Sequence, residues 1–287
     1  MIWTATRGGR VDVATLRRIG ARFGVTTWPV VLDLVAIDDD AERARSADSA
    51  ADARIAELRL IDDVGDPAPW LATALRVLAL PDRELEIRTF TESDTVRACL
   101  ARRDDHHVFA VRSGDTIDIT VVELHDVAAI SALVHRHCTD RGDDERSDRG
   151  TAHQKPIAHP EPLEFGALAC PCDELADRLG RCLATAEVAR TLTRLGMPPG
   201  DSGAVARAFA TIERRIEVVA VSRRDGMLTQ SPGALGVIDT ARGRIVAGPS
   251  RSPDGRVWTT LSPGSGYRIG QAVGLLIETL PDGWWPR

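Results

Sequence analysis

The chain has 287 residues, of which 43% are hydrophobic and 27% charged, a composition typical of globular proteins and unlike disordered or collagen-like chains. Its 36 basic and 42 acidic residues give a net charge of −6, which argues against a general binder of nucleic acids or of anionic membranes. A chain of this length can bury a large core, either as one α/β domain or as two packed halves.

The sequence predicts a cytoplasmic protein. Its first 25 residues carry five arginines without an apolar stretch between them, so they do not form a secretory signal. No apolar run approaches the ~18 residues of a membrane-spanning helix. The cysteines are therefore expected to be reduced thiols outside any disulfide framework. They are Cys99, Cys138, Cys170, Cys172 and Cys182.

The first half predicts helices followed by antiparallel strands. Apolar residues at three- and four-residue steps predict helices over 13–23, 38–60 and 67–80. Alternation of apolar and polar residues then predicts half-buried strands, and a helix returns behind Asp126 as its cap. The strands cover 85–87, 108–111 and 117–121, with turns at 103–105 and 113–115.

A polar, charged segment at 139–162 has almost nothing to bury and is predicted to be a linker. The order of elements then recurs, with a helical region at 173–195, a Gly/Pro break at 196–203, a short helix to residue 211, strands and a closing helix. We predict one domain spanning 1–287, composed of half-repeats 1–138 and 163–287.

The repeat is visible in the alternating segments. Residues 83–87 align with 214–218 at an offset of 131, and 117–121 align with 257–261 at an offset of 140. Two copies are too few for a solenoid, so we predict an α+β fold whose halves share one sheet and are related by a pseudo-twofold axis. The nine extra residues of the second copy are expected in loops at 225–233 and 249–254.

A cluster of histidines and cysteines suggests zinc, because imidazole and thiolate are its preferred ligands. His135 and His137 are two residues apart on a predicted helix, which places them ~200° apart and unable to share one ion. Cys138, Cys170 and Cys172 do not show the standard paired spacing of zinc ligands. We therefore predict no metal site.

The glycine-rich run at 263–270 lies between a strand and a helix, where a phosphate loop would occur. Its spacing is not G-x-G-x-x-G, and no second parallel strand follows it. The sequence also lacks a G-x-S-x-G elbow, a P-loop and H-E-x-x-H. We predict no catalytic residue, no cofactor and no enzymatic activity.

Several short motifs, in order along nearly the whole chain, resemble the EspG family of chaperones associated with ESX (type VII) secretion in high-GC actinobacteria. In the second half they are G-V-I-D-T-A-R-G-R at 236–244 and D-G-R-V-W-T-T-L-S-P at 254–263. In the first half they are W-T at 3–4, W-P at 28–29 and P-D-R-E-L at 81–85.

The resemblance implies a central antiparallel sheet flanked by two helical bundles and a cytosolic chaperone without a cofactor. Such proteins bind the apolar helical tip of the PPE subunit of a PE–PPE heterodimer, keep the dimer soluble and present it to a cognate ESX secretion system. A groove would bury that apolar tip. The resemblance maps partner-binding residues to Thr91, Glu92, Ser93, Asp94, Val219, Val221, Leu235, Val237, Leu179 and Leu183.

Two other classes of function remain open from the residues themselves. A metal-dependent enzyme that uses the Cys/His cluster would bind zinc stoichiometrically. A non-catalytic scaffold would self-associate and would not bind PPE proteins.

Overall fold

The first half begins with a strand and three helices. The carboxylate of Asp12 caps the first helix, because its Oδ1 accepts a hydrogen bond from Thr15 N at 2.7 Å. The elements are β1 (Thr4–Asp12), α1 (Val13–Arg22), a short 3₁₀ turn (Val30–Leu32), α2 (Ala41–Glu57) and α3 (Pro69–Ala79). The computed structural model describes residues 4–34, 41–140, 160–280 and 285.

Four antiparallel strands and one helix complete this half. Asp126 caps the helix by accepting a hydrogen bond from Ala129 N at 2.7 Å, which confirms the predicted cap. The predicted turns are also confirmed, with Asp104 and Gly114 at positive φ. The elements are β2 (Arg83–Thr91), β3 (Thr95–Arg103), β4 (His106–Ser113), β5 (Thr116–Glu123) and α4 (Val127–Thr139).

The second half has the same order of strand, three helices, strands and closing helix. Its first part comprises β6 (Leu168–Pro171), α5 (Cys172–Gly180), α6 (Thr185–Arg194) and α7 (Pro199–Phe209). The remainder comprises β7 (Ile212–Arg224), β8 (Met227–Gln230), β9 (Leu235–Thr240), β10 (Gly243–Arg251), β11 (Val257–Pro263) and α8 (Gly266–Glu278).

All eleven strands form one sheet in the order β1-β5-β4-β3-β2-β7-β9-β10-β11-β6, with β8 paired to β7 beside this path. Every pairing between these strands is antiparallel. The two halves meet in the middle, where β2 pairs with β7 from Arg83↔Ser222 to Thr91↔Arg214. The α+β class and the large antiparallel sheet are therefore as predicted.

The helices cover the two faces of the sheet differently. On one face α4 and α8 pack over the centre of the sheet and share a single core with β2, β7 and β9. On the other face α1 and α3 form a core with β3, β4 and β5, while α5, α6 and α7 form a separate core with β6, β10 and β11. The second face therefore carries one helical bundle at each side.

The pseudo-twofold repeat stays a prediction, and two contacts are consistent with it. Ile87 pairs with Val218, its counterpart at the offset of 131 that aligns β2 with β7. Among the helices, a Cβ added at Gly270 of α8 would lie 3.8 Å from Ser131 Cβ of α4, and Gly270 is one residue from Gln271, the counterpart of Ser131 at the offset of 140. Both contacts lie where a twofold axis would pass through the molecule.

Several predicted boundaries were wrong. The helical region 173–195 is two helices, because Ala184 is extended and the side chain of Glu187 accepts a hydrogen bond from Leu183 N at 2.8 Å. The Gly/Pro break at 196–203 already contains the start of α7, since Pro199 occupies its first turn. The predicted loop 225–233 contains β8, and β10 extends into the loop predicted at 249–254.

Much of the predicted linker 139–162 lies outside the described residues, which resume at residue 160. At its ends, Thr139 closes α4, and Pro162 forms an isolated bridge with Arg244 of β10. Of the described helices, none has the length and hydropathy that a bilayer-spanning segment requires.

Trp285 is fully buried in the core beneath α4 and α8. Its Nε1 donates a hydrogen bond to His107 Nε2 at 3.3 Å. Burial lowers the pKa of His107 to about 4, so the ring is neutral at neutral pH and can accept this bond. Trp284 lies outside the described residues.

The glycine-rich run before α8 allows its backbone to pack closely against β10. A Cβ at Gly264 would lie 2.6 Å from the Cβ and 2.7 Å from the carbonyl carbon of Arg244, whereas Gly270 has ordinary space around it. The glycine-rich run therefore allows the backbone entering α8 to pass β10, which explains these residues without a bound phosphate.

We expect Gly264→Ala to destabilise the protein by about 1–3 kcal/mol, because the added methyl group cannot be accommodated against backbone atoms. Gly270→Ala in the same run is the control and should be neutral or stabilising by up to ~1 kcal/mol through helix propensity. Urea unfolding of both variants measures the difference. Equal stability of the two would contradict the packing role of Gly264.

Asp239, in the G-V-I-D-T-A-R-G-R motif, is the centre of a buried ion cluster. Its carboxylate accepts hydrogen bonds from Arg214 Nε at 2.8 Å and from Arg244 Nε at 2.5 Å. Arg214 also donates to the carbonyl of Cys138 at the end of α4, at 2.6 Å. Burial would raise the pKa of Asp239, but the two guanidinium groups outweigh burial and hold it below its ordinary value.

We expect Asp239→Asn to cost roughly 3–5 kcal/mol of unfolding free energy, because two buried guanidinium groups lose their counterion. Asp118→Asn is the matched control. It removes an ion pair with Arg10 whose side chains are about half exposed, and should cost less than ~1 kcal/mol. Chemical denaturation compares the two, and similar losses would show that the Asp239 cluster is not an important stabilising element.

A candidate partner-binding groove

The two helical bundles on one face of the sheet leave its centre between them. Leu85, Ile87 and Val218 point to the opposite face, into the core beneath α4 and α8. Because side chains alternate along a strand, their neighbours on β2 and β7 point toward the bundles. Within the described part of the chain, neither bundle core includes a residue of β2 or β7.

We call this central strip the groove floor. Its residues lie in four directly opposed cross-strand pairs, so each pair shares one face. The pairs are Glu84 with Val221, Glu86 with Val219, Arg88 with Glu217, and Phe90 with Arg215.

The charges of the groove floor are largely paired among themselves. Arg88 forms an ion pair with Glu86 at 3.2 Å, and Arg215 forms one with Glu217 at 3.2 Å. The guanidinium of Arg215 also lies over the ring of Phe90, 4.8 Å from its centroid. The accessible end of the floor, around Phe90, thus combines an aromatic ring with neutralised charges, a surface suited to protein contact.

Glu84 is the most unusual residue of the floor, because its carboxyl group is buried. Residue Glu84 is 4% exposed, and Cys99 Sγ of β3 donates a hydrogen bond to its Oε2 at 3.7 Å. Burial, and then repulsion from Glu86, raise the pKa of Glu84 to about 7. Sequence reasoning missed this pair, although the alternation in 83–87 placed Glu84 on the face opposite Leu85.

Glu84 and Cys99 do not form a nucleophilic pair. Burial raises the pKa of the Cys99 thiol well above its ordinary value, and the nearby carboxylates raise it further. A catalytic cysteine needs the opposite shift, toward the thiolate. The described geometry therefore assigns no nucleophile to the groove floor.

The predicted turn residues lie at one end of the groove floor. Thr91, Glu92, Ser93 and Asp94 join β2 to β3, and all four are exposed. The turn is ordered by hydrogen bonds from Thr91 N to Asp94 O at 3.0 Å and from Asp94 N to Thr91 Oγ1 at 3.1 Å.

The four predicted sheet residues divide between the two faces. Val219 and Val221 lie in the groove floor but are only 8% and 4% exposed. For Leu235 and Val237 partner contact stays a prediction that their burial does not support. Both are fully buried in the core beneath α4 and α8, because β9 turns its odd-numbered residues to that face.

The two predicted bundle residues also differ. Leu179 of α5 is half-buried and packs against the core of its own bundle. Leu183 lies between α5 and α6 and is 96% exposed. The backbone around it is held by Glu187 of α6, whose side chain accepts a hydrogen bond from Leu183 N, so Leu183 is displayed on an ordered turn. Of these two leucines, Leu183 has the side chain that is exposed enough to contact a partner.

The Cys/His cluster is dispersed. His137 packs edge-on against Phe109 at 5.3 Å, while His135 faces Gly266 of α8. Cys138 and Cys170 are buried in different cores. Within the described residues no three His, Cys, Asp or Glu side chains are grouped so as to hold a metal ion.

Glu84→Gln should stabilise the protein in a pH-dependent manner. A carboxyl group whose pKa rises from 4.5 to about 7 on folding keeps its proton in the native state, so stability falls as pH rises through this range. We expect the gain from glutamine to be larger at pH 8 than at pH 5 by about 2 kcal/mol. Denaturant unfolding at both pH values checks this, and an equal gain at both would contradict the raised pKa.

Comparisons with known proteins agree with this architecture. The family model of the EspG family matches residues 12–136 and 158–274. The chain is 27% identical, over 93% of its length and 89% of the relative, to the ESX-3 secretion-associated protein EspG3 of Mycobacterium tuberculosis. It is 28% identical, over 79% of its length and 72% of the relative, to the ESX-1 secretion-associated protein EspG1 of Mycobacterium marinum.

A solved structure has the same fold. It is the Mycobacterium tuberculosis type VII secretion system chaperone EspG5 in complex with a PE25-PPE41 dimer, with a TM-score of 0.77 and 21% sequence identity. The match covers 97% of this chain and 99% of that chain. Together with the family model, which matches most of the sequence, these findings show that the chain belongs to the EspG family.

Proposed function

We propose that this protein is a cytoplasmic secretion chaperone that binds the PPE subunit of a PE–PPE heterodimer and delivers the dimer to a cognate ESX secretion system. The observation that carries the proposal is the groove floor, left between the two bundles in a chain of the EspG family. A structurally similar family member was solved with a PE25-PPE41 dimer.

The physical task of such a chaperone is to cover an apolar helix tip. Exposed apolar patches promote aggregation, and a groove lined by apolar side chains removes that surface from water. Phe90 is half-buried on the groove floor, next to the exposed turn at 91–94. An apolar tip seated there would contact Phe90 and the aliphatic part of Arg215, while the paired charges limit the cost of desolvation.

We further propose that the protein is not an enzyme and acts through binding alone. The groove floor carries charged pairs, and the buried thiol of Cys99 beside it is protonated, so neither provides an activated nucleophile. Its specificity would therefore depend on surface complementarity with the client.

The test is co-expression with the PE–PPE pair encoded nearest to the gene, followed by gel filtration. We expect the client to remain soluble and to co-elute with the chaperone. A client that aggregates and never co-elutes would refute the proposed function.

Phe90→Asp tests the groove floor within the same assay. A carboxylate in place of the ring should weaken client binding at least ~10-fold, because it removes apolar contact area and must be desolvated at the interface. Val64→Asp is the control, since Val64 is 87% exposed in the connection between α2 and α3 and should not alter binding. Thermal melts confirm that both variants fold. Unchanged affinity of a folded Phe90→Asp variant would exclude this part of the floor from the client-binding surface.

A further inference from the structure

Three arginine side chains lie next to one another where the groove floor meets the bundle that contains α1 and α3. Arg88 of β2 is directly opposite Arg97 of β3, and Arg97 is directly opposite Arg112 of β4. Directly opposed residues share a face, so all three lie on the face of the groove floor. Like charges in such positions are destabilising, so this arginine row needs carboxylates close to it.

The chain supplies two carboxylates to the arginine row. Glu86 pairs with Arg88 at 3.2 Å. Asp33, which follows the 3₁₀ turn, lies 3.4 Å from Arg97 and 3.8 Å from Arg112. One carboxylate is therefore shared by two guanidinium groups, and both distances are longer than the ~2.7–2.9 Å of a charge-assisted hydrogen bond. With three guanidinium groups and two carboxylates, the row carries an excess of positive charge.

The other carboxylates near the row do not balance this excess. Glu217 of β7 lies opposite the β2 member of the row, but its carboxylate pairs with Arg215 at 3.2 Å. In the turn between β2 and β3, the carboxylate of Asp94 accepts a hydrogen bond from the backbone N of the following residue at 2.7 Å, and Glu92 is exposed to water. Among the described residues, no ion pair joins these carboxylates to the row.

Arg97 is the member of the row that a partner can reach. Its side chain is 31% exposed, and that of Asp33, its ion-pair partner among the described residues, is 52% exposed. Arg112, by contrast, is fixed by hydrogen bonds to the backbone carbonyls of Leu32 at 2.8 Å and Gly114 at 2.9 Å. Arg112 thus holds the backbone of the 3₁₀ turn, whereas Arg97 can exchange Asp33 for another carboxylate.

The row lies beside the contact already proposed for the client. Phe90 is two residues beyond Arg88 on β2 and on the same face, and Arg97 is opposite Arg88. A client segment packed on Phe90 therefore brings its adjacent residues over the row. Because arginine binds carboxylates in a planar, bidentate manner, the excess charge favours an acidic residue there. A basic residue at that position would be repelled.

We propose that Arg97 is a specificity-determining residue that binds the carboxylate of an aspartate or glutamate of the client, next to the part of the client that packs on Phe90. In the free chain Asp33 occupies Arg97, and the client carboxylate takes its place. This inference rests on the proposed function and assigns a further contact in the same site. Charge complementarity at Arg97 then discriminates between clients with similar apolar surfaces.

The test measures the affinity of the full-length chaperone for the purified PE–PPE dimer by biolayer interferometry. We expect Arg97→Gln to weaken binding ~5-fold or more in about 50 mM NaCl and by less in about 500 mM NaCl, because salt screens exposed charges. Arg10→Gln is the matched control. It also removes an arginine from a partly exposed ion pair on the sheet, with Asp118, and should bind like the unaltered chain.

Asp33→Asn distinguishes a client contact from a purely structural ion pair. Asparagine tolerates the left-handed backbone of Asp33, whose φ is 51°, and removes only the charge. If Asp33 competes with the client for Arg97, this variant should bind the dimer as tightly as the unaltered chain or up to ~5-fold more tightly. If the pair only holds the 3₁₀ turn, both variants should weaken binding alike.

The outcomes are distinct. If the unaltered chain does not bind the dimer, the proposed function fails. If it binds, the Arg97 inference is overturned when folded Arg97→Gln binds within twofold of it, or when Asp33→Asn weakens binding as much as Arg97→Gln. Arg97→Met, which keeps an aliphatic side chain without the charge, replaces Arg97→Gln should that variant unfold in thermal melts. Light scattering completes the test, since a dimer of the free chain that Arg97→Gln converts to monomer would assign Arg97 to a second copy and overturn the inference.

Discussion

The antiparallel pairing of β2 with β7 is the interaction on which the rest of the architecture depends. It joins the sheets of the two halves into one, from Arg83↔Ser222 to Thr91↔Arg214. We call this pair of strands the seam. On one face it is buried by α4 and α8, whose contact makes the core continuous across both halves. On the other face each bundle packs on the strands of its own half. The seam is therefore the place where a groove can exist.

A groove floor in the middle of a sheet must avoid both aggregation and a high cost of desolvation. A fully apolar strip would aggregate, and a fully charged one would resist the desolvation that binding requires. The floor pairs Arg88 with Glu86 and Arg215 with Glu217, so charge is present but already neutralised. Glu84 is the exception, since burial raises its pKa to about 7 and favours its neutral form. The floor therefore keeps polar side chains, while few of them carry an unpaired charge that must be desolvated on binding.

Periodicity predicted the type of most elements but not the face of each strand. Alternation correctly placed strands at 85–87, 108–111 and 117–121. It missed β1, whose Gly8 and Gly9 carry no apolar signal, and β3, where arginines at both ends frame a short apolar centre. The resemblance, and not alternation, mapped Leu235 and Val237 to partner contact, whereas both side chains are buried in the core beneath α4 and α8. Which face carries the core depends on neighbouring strands far away in sequence.

The centre and the two ends of the groove floor differ in how freely their side chains can change. The centre of the floor is set by the β2–β7 seam and by its internally paired charges, so substitutions there endanger the sheet itself. The 91–94 turn and the β7–β8 hairpin lie at exposed ends, where side chains can change without disturbing a core. The two ends are also unlike each other, because among the described residues only one end carries the added hairpin. A partner of the groove floor would therefore meet different side chains at its two ends.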